Sequence, residues 1–97
     1  VNNLEEIGDI LKFIAVKAQE KIRITESEIE ILRTLRKHLD SFRKLFLNYK
    51  KEEEVVFAKE YEKIKAKIDT KKEIGPYLYE LNKAIIRMNN QLLVLAL

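Results

Sequence analysis

A 97-residue chain with one histidine and no cysteine has few routes to metal or covalent chemistry. Metal centres inside helical bundles draw on inward-facing carboxylates and Glu-x-x-His pairs, and the residue three before His38 is Leu35. Gly8 and Gly75 stand alone, so no glycine-rich loop cradles a phosphate. No serine has a histidine and an acid arranged around it as a nucleophile requires. No metal and no cofactor are therefore expected. One pair remains: Arg33, suited to holding a phosphate, and His38, suited to moving a proton, five positions apart. Five residues of regular helix turn about 500°, which leaves the two side chains roughly 140° apart. They could meet on one phosphate only across a cleft between subunits. His38 also shares a column with Ile31 and Leu45 on the flank of an apolar stripe, where a partly buried histidine packs as an ordinary core residue. The chain is read as a non-enzyme on that ground.

The run Arg33-Thr34-Leu35-Arg36-Lys37-His38 resembles the short Arg-x4-His motif of HEPN-type ribonucleases, which are compact helical domains. That resemblance covers six residues and implies that Arg33 and His38 steer and activate cleavage at an RNA phosphate. A second likeness is broader. The stretch from Glu28 to Ile68, with Leu32-Arg33, Phe42-Arg43-Lys44-Leu45 and Glu52-Glu53-Glu54 through Tyr61, resembles the helical domain of GINS replication subunits. It implies a place in a replication-type assembly, although the small β domain of that family is missing.

Two surfaces suggest binding. Residues 25–50 carry six basic and four acidic side chains, and Arg33, Arg36, Lys37 and Lys44 fall on the outward side of one helical segment, with Arg43 towards one edge. Such a face can pair with nucleic-acid phosphates in a salt-sensitive way. Asp40 lies within it, and the same face also reads as a solvated surface. The apolar residues that miss the helical stripes carry the favoured reading. Phe13 and Val16 lie opposite Leu4, Leu11 and Ala18, and Leu93, Val94 and Leu97 make the final turns apolar all round. A helix that is greasy on every side demands a second cover. Docking through Phe13, Val16, Leu93, Val94 and Leu97, onto a protein partner or another copy, makes the chain an interaction or accessory subunit. The nucleic-acid factor and the HEPN-like ribonuclease are the alternatives.

Four segments must position these groups. Leu4, Ile7, Leu11, Ile14 and Ala18 recur three and four apart and predict a helix over 3–23, weakened by Gly8 by about 1 kcal/mol. Thr25-Glu26-Ser27-Glu28 reads as a capping box opening a helix over 26–50, with Leu32, Leu35, Leu39, Phe42, Phe46 and Tyr49 on one stripe. Phe57, Tyr61, Ile64 and Ile68 predict a helix over 53–72, with Glu52, Glu53 and Glu54 near its positive pole and Lys71 and Lys72 near its negative one. Gly75 is read as closing that helix and Pro76 as opening the next, 76–96, whose stripe is Leu78, Leu81, Ile85, Met88, Leu92 and Leu95. Short connections favour antiparallel neighbours. The expected fold is an all-α, up-down antiparallel four-helix bundle forming a single domain over 1–97. A three-helix core with a looser first helix, or completion by a second chain, are the variants.

Composition agrees with that class. The chain is 46% apolar and 36% charged, with two glycines and one proline, too few for the turns of a sandwich or barrel. Its net charge of +3 permits an acidic partner without demanding one. Interspersed lysine, glutamate and isoleucine resemble the usage of heat-adapted proteins. Glu5, Glu6 and Asp9 break up any signal-peptide pattern, and Leu92–Leu97 is too short to span a bilayer, so a cytoplasmic location without membrane contact is expected.

Overall fold

The computed structural model describes residues 2–20 and 24–96, with side-chain surroundings for all of these except 2–4, 18 and 96. Four helices, α1 (Asn2–Gln19), α2 (Glu26–Leu47), α3 (Lys51–Lys67) and α4 (Gly75–Ala96), make up the fold, with no strand among the described residues. It is an all-α four-helix bundle. Glu6 of α1 reaches Arg87 of α4, and Phe13 stacks on Tyr77, so α1 and α4 run antiparallel. Glu54 and Tyr61 of α3 meet Asn89 and Asn82 of α4 in the same opposed sense. The short link 48–50 folds α3 back on α2, which completes the up-down order.

The helices do not share contacts evenly. α4 packs against all three others and α2 against α3, whereas α1 touches α4 alone: no Cα of α1 comes within 8 Å of α2 or α3 among the described residues. The molecule is correspondingly flat, 45 × 25 × 18 Å.

Local chemistry explains the boundaries. The Thr25 hydroxyl accepts the Glu28 amide at 3.3 Å, and the Glu28 carboxyl accepts the Thr25 amide at 3.1 Å, so the expected capping box opens α2. α2 stops at Leu47 rather than near Lys50, because Asn48 leaves helical geometry (φ −152°, ψ 87°) while its amide still bonds Lys44. The expected end of α3 at 72 is too late. Ile68 is its C-cap, and the Asp69 side chain accepts the Lys71 amide at 3.0 Å, drawing the backbone into a turn. Lys65 and Lys67, not Lys71 and Lys72, therefore occupy the last turn of α3. Gly75 does not close that helix; it begins α4, packed so tightly on the turn that a β-carbon would overlap the Asp69 carbonyl. The expected extension of the first helix over 21–23 lies outside the described residues, as do the side chains of Leu4 and Ala18.

The core draws on all four helices, but two stripes sit one step round from their expected centres. On α1 the buried residues are Ile7, Ile10 and Ile14, while Leu11 is exposed. On α2 they are Glu28, Ile31, Leu35, His38 and Leu45; Leu32, Leu39 and Phe42 are only half-covered, and Phe46 and Tyr49 are open. The centre of α2 thus takes in two adjacent columns, Glu28–Leu35 and Ile31–His38–Leu45, each holding one polar residue. On α4, Leu78, Leu81, Ile85, Met88 and Leu92 are buried as expected, but Leu95 is 79% exposed. Glu54 lies in the first turn of α3 as expected, and it is buried.

Polar groups mark two levels of the α3–α4 seam. The Asn89 side-chain amide donates to the Glu54 carboxyl, and one heptad away the Asn82 amide donates to the Tyr61 carbonyl at 3.2 Å. Sliding α4 by one turn would strand both, so these contacts set the register. Asn89→Ala leaves the Glu54 carboxyl buried without its donor and should cost about 3 kcal/mol in urea unfolding. The double variant Glu54→Leu with Asn89→Leu should regain much of that loss, because both buried polar groups are then gone.

Candidate interaction surfaces

Arg33 and His38 are placed in different environments. Arg33 is solvent-exposed and pairs with Glu30 at 3.3 Å. His38 is 2% exposed, its ring stacked on Phe57 with centroids 3.9 Å apart and planes 14° apart. Its Nε2 has no hydrogen-bond partner, and burial pushes the imidazole down from 6.5 to about 4. At neutral pH it is an uncharged aromatic core residue that extends the run Phe46–Phe42–Phe57 inward. The geometry does not join its ring to Arg33.

Beside it, α2 and α3 enclose a half-open groove of about 510 Å³. His38, Leu45 and Phe57 form the floor, Lys37 and Lys44 one wall, and Glu52, Glu53 and Glu60 the other. Arg33, Arg36, Lys37, Arg43 and Lys44 are all exposed, as the sequence pattern implies. They divide, however, into a lysine edge facing the acidic wall of α3 and an arginine edge, Arg36 and Arg43, facing away from it. Among the described residues, no group of three His, Cys, Asp or Glu side chains is disposed to hold a metal, and no helix is long and apolar enough to cross a membrane.

The apolar docking residues fall into two places. Phe13 is 56% exposed and Val16 47%, and both lie on α1 towards the start of α4, where Phe13 rests against Tyr77. Leu93 is half-buried and Val94 is 72% exposed at the other end of α4, roughly 25 Å along the helix from Tyr77. Leu97 lies outside the described residues. The structure therefore does not gather the five into one patch.

Other apolar side chains stand exposed near the end of α4. The register that pairs 54 with 89 and 61 with 82, carried one turn further, sets Leu93–Leu95 beside the 48–50 link. Phe46, Leu47, Tyr49, Val94 and Leu95 are all exposed at that end, and Val55 and Val56 of α3 follow directly. Sequence reasoning assigned Phe46, Tyr49 and Leu95 to core stripes. The available signal was that these stripes run on past the level at which neighbouring helices end.

The chain matches no protein-family model, and comparison with curated proteins and with solved structures finds no match.

The buried imidazole makes stability pH-dependent. Above pH 6.5 neither state is protonated and the full stability is present. As pH falls towards 4, the unfolded chain takes up a proton that the folded one refuses, which removes up to about 3 kcal/mol. Urea unfolding of parent and His38→Leu at pH 7 and pH 4.5 should show the parent losing more stability than the variant on acidification; equal losses contradict a depressed histidine.

Proposed function

We propose that this protein is a small, non-catalytic interaction subunit that docks onto a larger protein assembly through the apolar end of its bundle. The observation that carries this reading is the exposure of Phe46, Leu47, Val94 and Leu95, three of them by more than 70%, near the end of the bundle where the last turns of α4 come beside the 48–50 link. Covering five such side chains contributes on the order of 5–10 kcal/mol before association costs, enough to hold a complex. Phe13 and Val16 supply a second, smaller contact 20–25 Å away. Lys50 and Lys51 beside Glu52 and Glu53 border the end with both signs of charge, which favours one orientation of approach. The burial of His38 supports the non-catalytic part, since a proton-transfer group needs access to substrate.

A photo-crosslinking residue at position 94, with one at position 40 as control, tests the docking surface in cells of the source organism. The expected result is a single defined adduct from position 94 that disappears in Leu47→Asp, a variant with unchanged thermal melting. Equal crosslinking from both positions, or an adduct that survives Leu47→Asp, overturns the reading.

A nucleic-acid role is the second reading, supported by Arg36, Lys37, Arg43 and Lys44, none of which has an acidic partner within 4 Å among the described residues. Labelled single- and double-stranded DNA and RNA at 50 and 300 mM salt check it: salt-sensitive binding lost in Arg36→Ala with Arg43→Ala favours it, and no binding at low salt removes it.

A further inference from the structure

The groove between α2 and α3 is bounded by described side chains throughout. Its volume of about 510 Å³ lies in the range of small-molecule sites, and it runs about 15 Å along the helices, from Lys44 and Glu52 to Thr34 and Glu60. It stays open because the side chains between the charged ones, Thr34, Ser41 and Val56, are too short to bridge it. Both hydroxyls are turned back on their own helix: Thr34 donates to the Glu30 carbonyl at 2.9 Å and Ser41 to the Lys37 carbonyl at 3.1 Å. The floor is apolar, made of Leu45 and the His38 ring stacked on Phe57. His38 is 2% exposed, and its Nε2 has no hydrogen-bond partner among the described residues. The fold leaves this one polar group of the floor unserved.

The walls carry opposite charge. His38 and Phe42 both reach Phe57, which sets the level of α2 against α3. Lys37 is then about level with Glu60, and Lys44 with Glu53, beside which stands Glu52. None of these five has an oppositely charged partner within 4 Å among the described residues. The pattern reverses one heptad further on, where Glu30, in the column of the two lysines, is level with Lys67, in the column of Glu53 and Glu60. Asp40 of α2 and Lys59 and Lys63 of α3 are exposed outside the lining. The separation of a basic from an acidic wall is therefore confined to the groove.

Those walls select the occupant. A purely apolar molecule strips water from unpaired charges and gives nothing in return. A lone anion drawn to the lysines meets the glutamates opposite, and a lone cation drawn to the glutamates meets the lysines. A molecule with a carboxylate at one end, an ammonium group at the other and a flat apolar body between them pairs with both walls and covers the floor. We propose that the α2–α3 groove binds a small zwitterion of that build, its carboxylate towards Lys37 and Lys44, its ammonium group towards Glu53 and Glu60, and its body over Leu45, His38 and Phe57. The site uses none of the residues of the apolar end and does not rest on the docking reading.

The probe is para-(aminomethyl)benzoate, with para-methylbenzoate and para-methylbenzylamine as analogues that each keep one of its charges. His38 is the only histidine, so its ring protons give a single NMR reporter in the floor. The zwitterion should shift them saturably, with half-saturation below about 1 mM, and should bind at least tenfold tighter than either analogue. Lys37→Gln with Lys44→Gln should weaken the zwitterion at least tenfold without weakening para-methylbenzylamine. Glu53→Gln with Glu60→Gln should weaken it as much without weakening para-methylbenzoate. Val56 is 64% exposed, so Val56→Trp should fill the groove and block binding while melting where the parent does. Leu47→Asp, at the apolar end, should leave binding unchanged. The absence of a saturable shift, an analogue that binds as tightly as the zwitterion, or undiminished binding by Val56→Trp each overturns the proposal. Loss of binding in Leu47→Asp alone places the ligand at the apolar end and overturns it too.

Discussion

Among the described residues α1 packs on α4 alone, and most of the packing between the other helices also involves α4; that constraint organises the molecule. One helix offers a single apolar arc, and here three neighbours divide it. α3 takes the edge with Asn82 and Asn89, α2 the centre, and α1 the edge with Tyr77 and Arg87. The asparagines matter because an all-aliphatic arc would let α3 slide along it at little cost. Two side-chain amides, each seeking a particular oxygen on α3, fix one alignment. That alignment in turn decides which side chains stand beyond the last covered turn.

Much of this was legible in the residues. Thr25 and Glu28 announce the start of α2, because the capping box uses only local atoms. The three-four spacing of Leu78, Leu81, Ile85 and Met88 places α4 correctly, since a helix bounded by Gly75 and Pro76 has little freedom to begin elsewhere. The end of α3 was misplaced by the side chain of Asp69, which competes for backbone amides at short range and leaves no periodic trace.

The displaced stripes of α1 and α2 have a different cause. Periodicity reveals how wide an apolar arc is, not which half its own chain will cover. On α2 the arc includes Leu32, Leu39 and Phe46, and the covered half is centred on the adjacent columns of Glu28 and Leu35 and of Ile31, His38 and Leu45. The sequence reading placed His38 with Ile31 and Leu45 on the flank of the stripe and Glu28 in the capping box; in the structure both polar residues are buried with the core. Leu11 on α1 was misjudged likewise: it belongs to the arc but not to the half that α4 reaches. Of the docking residues, Phe13, Val16 and Val94 are open as their off-stripe positions imply. Phe46, Leu47 and Leu95 escaped notice because their exposure depends on where neighbouring helices stop, a fact of length and alignment that no single segment encodes.

The attachment of α1 to one neighbour also shapes how the molecule breathes. Helices held on two or three sides can open only by disrupting the common core, whereas α1 is held along Ile7, Ile10 and Ile14 and the Glu6–Arg87 and Phe13–Tyr77 contacts. It can peel away as a cooperative unit while α2, α3 and α4 stay folded. Backbone amides of α1 then exchange with solvent deuterium through this partial opening, ahead of those in the three-helix remainder, and a protease finds its first cleavage sites there.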